Sequence, residues 1–382
     1  MKIVFASHTY MDPHLVVGSQ HLARRFAEMG HHVLHLSCPI TVPHLFLRNR
    51  NSRYADRTAL WNSAGKKHSP TLIESVPLAL IPWNVARHFL KKERNPFGWY
   101  SASTRGIVLR HGFTQPDLLL MDDPRFLGLE RWLKPRRFVY RATDFYSQMK
   151  NDRSIDTVEK WAVEKCDGLI ATAAPLLRHL QKYAPSKPSL LLENGADNEH
   201  FSRSTTPPPA YQRIPQPRVI YVGALDDRFD FDLTEKLAAA NPEVHFVLIG
   251  PGNEEGRLPQ KANIHLLGQI AYEEIPRWLQ HADIGLLPMN SHPANLGRSP
   301  MKLYEYAAAG LPVLARATPE ISRRQDRFVF LYEDADSAQK QLTRLLANMP
   351  EREATRKEAL QHSWKSRAAS LLDFCEKLPL RT

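Results

Sequence analysis

Cysteine is scarce: three in 382 residues, Cys38, Cys166 and Cys375, with no Cys-x-x-Cys spacing. That argues against a disulfide framework or a cysteine-built zinc site and fits thiols kept reduced. Long apolar runs are lacking as well. None approaches the ~20 residues of a membrane-spanning helix, so any membrane contact is expected to be peripheral. No cationic and apolar leader precedes the first strand, and a cytoplasmic protein is expected. No Asp-x-Asp pair follows a strand where it could hold a metal. Asp226-Asp227 stands after a glycine turn instead, and no metal or other cofactor is expected. Neither a repeat nor an RNP1 or GXXG signature is present, so nucleic acid is not an expected partner.

What is present is length, charge and strand punctuation. Single cores stop growing at roughly 250–300 residues, so the chain should form two domains. The formal charge of +11 favours anionic partners. Apolar runs at 2–7, 32–36, 117–121, 137–140 and 168–172, with 189–192, read as strands buried on both faces of a parallel sheet. A helical run at 19–29 stops at Gly30, which completes a βαβ unit. The proline- and serine-rich stretch 202–217 reads as a linker. After it the pattern restarts, with strands at 218–222, 245–249, 264–267, 284–287 and 313–315 and a helix at 232–241. The reading is α/β: a first domain at 1–201, a second at 218–362, and a helix at 363–382 that returns to the first. The two Rossmann-like domains are expected to face each other across a cleft.

Five constellations could carry chemistry. A helix starting near Pro300 would aim the N–H groups of Met301 and Lys302 at a diphosphate, with Glu305 one turn on. The same spacing also fits an ordinary solvated helix. The turn at Gly223 either lets backbone approach a phosphate or is simply a tight βα turn. Asp144, after a first-domain strand, is placed for a general base, or for a helix cap. His8 and Asp12, with His14, occupy another strand end. Finally, Arg48, Arg50, Arg53 and Arg57 interleave with Leu45, Phe46, Leu47 and Trp61. Arg87, Lys91, Lys92 and Arg94 interleave likewise with Phe89, Leu90, Phe97 and Trp99. That mixture suits an anionic membrane surface.

Together, several segments resemble GT-B glycosyltransferases. In the second domain these are Tyr221-Val-Gly-Ala-Leu225, Val247-Leu-Ile-Gly-Pro251, Ala282-Asp-Ile-Gly-Leu-Leu-Pro288 and Met301-Lys-Leu-Tyr-Glu-Tyr-Ala-Ala-Ala-Gly-Leu-Pro-Val313. Glu193-Asn-Gly-Ala-Asp197 with Phe201 is similar to the family's interdomain signature. Retaining members carry a glutamate eight positions before the one matching Glu305. Here that position is Gly297. Tyr140-Arg-Ala-Thr-Asp144 and Ser299-Pro-Met-Lys302 are similar to the inverting xanthan-pathway glucuronosyltransferase family, although Glu305 replaces a Gln and Met289 a Tyr. Teichuronic-acid-type transferases are similar in the second domain.

The resemblance implies Asp144 as base; His8, Asp12 and Arg141 are the acceptor-side candidates. It implies Leu225, Ile270 and Met289 near uracil, Met301 and Lys302 at the diphosphate, Glu305 at ribose, and Gly223 and Ser299 completing the donor site. The implied activity is inverting, metal-independent transfer from a UDP-sugar. The acceptor would be a glycan, lipid-linked at the inner face of a bacterial membrane. A nucleotide-sugar 2-epimerase and a non-catalytic nucleotide- or sugar-binding protein are the alternatives.

Overall fold

The computed structural model describes residues 1–11, 16–47, 52–63, 65–91, 94–252 and 256–381. They fall into two compact units. The first contains 1–11, the described residues of Val16–Glu193, and 367–381; the second contains the described residues of Asn194–Ser366.

In the first unit the described strands are β1 (Lys2–Ala6), β2 (His32–Leu36), β3 (Ile40–Thr41), β4 (Lys66–Ser69), β5 (Leu72–Ser75), β6 (Leu78–Ala79), β7 (Leu118–Met121), β8 (Phe138–Ala142), β9 (Gly168–Ala171) and β10 (Ser189–Leu191). Eight of these form one sheet in the order β10-β9-β8-β7-β1-β2-β5-β4, and β3 pairs with β6. All pairs in the large sheet are parallel except β4 with β5. The apolar runs of β1, β7 and β8 are buried throughout or nearly so, as strands covered on both faces must be.

The second unit has β11 (Arg218–Val222), β12 (His245–Ile249), β13 (Ile264–Leu266), β14 (Ile284–Leu287), β15 (Val313–Arg316) and β16 (Val329–Tyr332). Their order is β13-β12-β11-β14-β15-β16, and every pair is parallel.

Strand order reverses beside β1, between β7 and β2, and beside β11, between β12 and β14. Ligands of open parallel sheets bind beyond the carboxyl ends of strands at such reversals. The loops that follow β1, β7 and β8, and β11 and β14, are therefore where chemistry is expected.

The stretch expected as a linker is part of the second unit. Tyr211 and Ile214 are buried, and the Tyr211 hydroxyl donates to the Trp278 carbonyl at 2.9 Å. Thr205 Oγ1 donates to Gln280 Oε1 at 2.8 Å. Proline here shapes a packed 3-10 turn at Pro209–Gln212 rather than a free tether. The boundary thus lies between Glu193 and Asn194 and not at 201. The last helix, Trp364–Glu376, runs on into residues of the first unit. There Phe374 and Leu378 press against Gly168, where any Cβ would come within 3.0 Å of them. Arg381 reaches Asp167 at 2.7 Å.

Candidate active site

In the second unit, the helix Met301–Ala308 is fixed at both ends. Its C-terminus closes with Gly310 N–H on the Ala307 carbonyl (2.9 Å) and Leu311 N–H on the Tyr306 carbonyl (2.9 Å), Gly310 having φ +88°. That is a Schellman motif, which needs the left-handed glycine. One face carries Tyr306 onto β14. A Cβ at Gly285 would lie 2.3 Å from the Tyr306 ring, so only glycine admits it. The Tyr306 hydroxyl accepts from Val222 N–H at 2.7 Å, which ties the helix to the end of β11.

At the N-terminus no side chain caps the helix. Its first N–H groups, Met301 and Lys302, therefore lack the intrahelical acceptors that later ones have. Ser299, just before, is buried and held from two sides. Arg324 Nη2 donates to its hydroxyl at 2.8 Å, and Asn194 Nδ2 donates to its carbonyl at 2.7 Å. Arg324 also donates to Tyr304 Oη (2.6 Å) and to buried Glu320 (2.9 Å). Asn194 belongs to the interdomain signature, whereas Glu320 and Arg324 have no sequence signal, because a pair such as Ser299 and Arg324, 25 residues apart, leaves none locally.

Glu305 is 1% exposed, and Lys302 Nζ donates to its Oε2 at 2.7 Å. Its Oε1 is buried without a hydrogen-bond partner. The two residues expected at ribose and diphosphate are thus bonded to each other. A lysine ammonium has three donors, so two remain beyond this bond. A buried carboxylate oxygen with no donor costs free energy and is an acceptor waiting for a hydroxyl.

The other expected donor-site residues sit in loops at the same sheet end. Gly223 follows β11 and meets the loop after β12. Gly250, at φ +146°, has its would-be Cβ 1.8 Å from the Gly223 carbonyl oxygen, so the two loops touch through backbone. Leu225 and Met289 are buried. Ile270 is half-buried in the segment after β13. Asp226 is engaged by Arg228, with Nε on Oδ1 at 3.0 Å.

In the first unit a second cluster forms where β1, β7 and β8 end. Half-buried His8 meets Tyr146 edge-on, with Nδ1 3.2 Å from the hydroxyl, and that hydroxyl lies 2.7 Å from Thr143 Oγ1. Burial pushes the His8 imidazole below its usual pKa, and the charges of Asp144 and Asp123 oppose the shift. Burial pushes Asp123 upward, but Arg125, with Nε at 3.0 Å, outweighs it and holds the carboxyl below its usual range.

Asp144 is half-buried. Its carboxylate has no hydrogen-bond or ion-pair partner among the described residues. The helix that follows, Tyr146–Lys150, takes Phe145 as its N-cap and has no side-chain cap bond. Asp144 does not cap a helix. Arg141 departs from its expected place facing an acceptor. It is 1% exposed in β8 and paired with fully buried Asp122 at 2.9 Å. Asp12 and His14 lie outside the described residues.

The cation–aromatic segments divide. Phe46 and Phe89 are strongly exposed, at 82% and 65%. Phe97 is buried, and Leu45, Trp61 and Leu90 pack against the core. Arg57 donates inward to the carbonyls of Cys38 and Pro39, and Arg87 pairs with Asp152 at 3.3 Å. Arg48, Arg50 and Lys92, and the side chains of Leu47 and Arg53, lie outside the described residues.

Two parallel α/β units with candidate sites at their strand reversals define the GT-B glycosyltransferase fold. The chain is similar over 99% of its length, and 99% of theirs, to sucrose-phosphate synthase from Thermosynechococcus elongatus (TM-score 0.73, 16% identity). It is also similar to Anabaena HepE, solved in complex with UDP and glucose (TM-score 0.68, 14% identity, 99% of this chain and 100% of that one). WaaG, a glycosyltransferase involved in lipopolysaccharide biosynthesis, is similar with TM-score 0.62 and 16% identity over 98% of this chain and all of WaaG. Residues 232–373 match the glycosyl transferase-like family. Bacillus subtilis (strain 168) TuaH, provisionally assigned as a teichuronic acid biosynthesis glycosyltransferase, is 26% identical over 220 residues. That match takes in 52% of this chain and 55% of TuaH, so the chain spans about half the length of the curated relative it matches.

Proposed function

We propose that the chain is an inverting glycosyltransferase of bacterial polysaccharide biosynthesis. It transfers a sugar, glucuronic acid being the first to test, from UDP to a lipid-linked glycan at a membrane surface. The observation that carries this reading is the Lys302–Glu305 pair at an uncapped helix start, with one buried carboxylate oxygen left open. A ribose hydroxyl donating to that oxygen satisfies it without breaking the bond to Lys302. The remaining Lys302 donors and the N–H groups of Met301 and Lys302 then face the diphosphate. They neutralise charge on the departing UDP, which is the task a metal performs elsewhere. The acceptor hydroxyl attacks the anomeric carbon from the opposite side and gives its proton to Asp144. UDP binding by the similar HepE and the assigned role of TuaH support donor and pathway.

Calorimetry with UDP tests the donor site. Hydrogen bonds to charged groups are worth about 1.5–3 kcal/mol. Glu305→Ala and Lys302→Ala should each weaken UDP about ten- to hundredfold. Undiminished affinity in both variants would remove the site assignment. The membrane reading rests on exposed Phe46 and on exposed Phe89, which Arg87 and Lys91 flank in the chain. Each cation near an anionic surface contributes about 1 kcal/mol. Co-sedimentation should therefore rise with the anionic lipid content of vesicles and fall with salt. Equal recovery on neutral vesicles at high salt would count against it.

A further inference from the structure

A cavity of about 390 Å³ in the first unit takes in Arg94 and Trp99 from one end of the cation–aromatic segment. Three arginines from separate segments line it: Arg94 in a loop, Arg105 on the helix Ala102–Arg110 and Arg131 on the helix Leu129–Leu133. Leu80, Trp99 and Trp132 supply its apolar wall, and Trp99 is 53% exposed. The cavity is built, not incidental. A Cβ at Gly98 would lie 2.3 Å from the Leu127 carbonyl oxygen, so the two loops that form it touch through backbone. Asn95 clamps them, with Nδ2 donating to the carbonyls of Arg125 (2.8 Å) and Leu127 (2.9 Å) and Oδ1 accepting from Phe97 N–H (3.2 Å).

The charge balance of the cavity is one-sided. Among the described residues no carboxylate lines it. Buried Glu130, behind it, approaches Arg131 at 3.6 Å and offsets one cation. Arg94 and Arg105 have no ion-pair partner among the described residues. Arg105 instead lies over the Trp132 ring, 5.8 Å from its centroid. Guanidinium forks match phosphoryl oxygens, and aromatic faces accept a flat, partly apolar ring. The volume lies in the range of small-molecule sites and suits one sugar-sized group rather than an extended chain.

We propose that this cavity binds a glycosyl phosphate, its phosphoryl group on Arg94 and Arg105 and its sugar ring against the tryptophans. Only the source of the ligand, a phosphate-linked acceptor, rests on the function proposed above; the binding itself does not. The phosphate could also come from a lipid headgroup, and the test separates the two sources. Calorimetry on the full chain would use glucose 1-phosphate, glucose and inorganic phosphate, with phosphatidylglycerol vesicles as a separate arm. Glucose 1-phosphate should bind at least about tenfold more tightly than inorganic phosphate, two charge-assisted contacts being joined by ring contact. Arg94→Gln and Arg105→Gln should each weaken it about tenfold or more, with the unfolding midpoint and UDP affinity unchanged. Arg94 makes no side-chain hydrogen bond or ion pair among the described residues, so that variant reads binding with little cost to the fold. Equal affinity for inorganic phosphate, or unaltered glucose 1-phosphate affinity in both variants, overturns the proposal. Vesicle binding lost in both variants, without any glucose 1-phosphate binding, overturns it in favour of a lipid headgroup. Loss of UDP binding in Glu305→Ala leaves the result of this test unaffected, so the two readings fail separately.

Discussion

Asp144→Ala and Asp144→Asn are expected to lose most turnover, by a factor of about 10²–10⁴, the usual contribution of a positioned general base. UDP affinity should stay nearly unchanged, because the residues proposed to hold UDP belong to the other unit. The asparagine variant is the informative one. It keeps the shape of the side chain and removes only charge and basicity. Had Asp144 capped the next helix, asparagine would cap about as well and activity would survive. The structure gives that cap position to Phe145, so no loss of helix can be blamed for a loss of rate. A second readout accompanies the first. The Asp144 charge opposes the downward shift of the His8 imidazole, so His8 should titrate still lower in the asparagine variant. Proton NMR of the imidazole would follow it. Turnover can be assayed with bacterial membranes and a panel of labelled nucleotide sugars. An active asparagine variant would pass the role of base to His8 or Asp12.

The sheets were legible where burial on both faces produces apolar runs, unbroken in the cores of β1 and β7 and broken by a single buried polar residue, His35 or Arg141, in β2 and β8. β5 was not legible. β5 contains Glu74, buried at 1% exposure, which accepts from Met11 N–H at 2.6 Å and meets His68 at 2.9 Å. Those partners come from 63 residues before it and from the antiparallel strand beside it, and neither is visible locally. The two-residue pair β3 and β6 leaves no periodicity to read. β16 is a half-buried edge, and only Tyr332 in it is fully covered. The prolines at 202–217 carry only the local meaning of turn or tether, whereas Tyr211 and Ile214 between them decide the packing. At the candidate site the i, i+3 spacing of Lys302 and Glu305 could be seen in the chain, but their mutual bond could not. Asp123, Arg125 and Tyr146 were missed altogether, although Asp122-Asp123-Pro124-Arg125 directly after a buried strand is a strand-end acid pair that a closer reading of the chain could find.

Arg141→Met is expected to be among the most destabilising single substitutions in the first unit, by about 3–5 kcal/mol. Arg141 and Asp122 are both buried, and their pairing is thin. One bond of 2.9 Å joins them, while Arg141 Nε and Asp122 Oδ1 have no hydrogen-bond partner. Removing the guanidinium leaves a carboxylate in the core that neither water nor charge compensates. The deficit should depend on pH. Burial already raises the Asp122 carboxyl to about 6, against the pull of Arg141, so the folded state holds its proton more tightly than the unfolded chain does. For such a group, stability is greatest below the unfolded value and falls as pH rises through the folded one. Without Arg141 the folded value climbs further. Urea unfolding should therefore show a larger loss in Arg141→Met at pH 8 than at pH 5. The double variant Asp122→Leu, Arg141→Met should regain most of the stability, since a buried pair can often be exchanged for apolar groups at little cost. It also separates fold from function. If Arg141 only supports the strand that carries Asp144, the stable double variant should turn over substrate nearly as well as the parent. If Arg141 touches an acceptor, as the sequence led one to expect, KM for the acceptor should stay high even after stability returns.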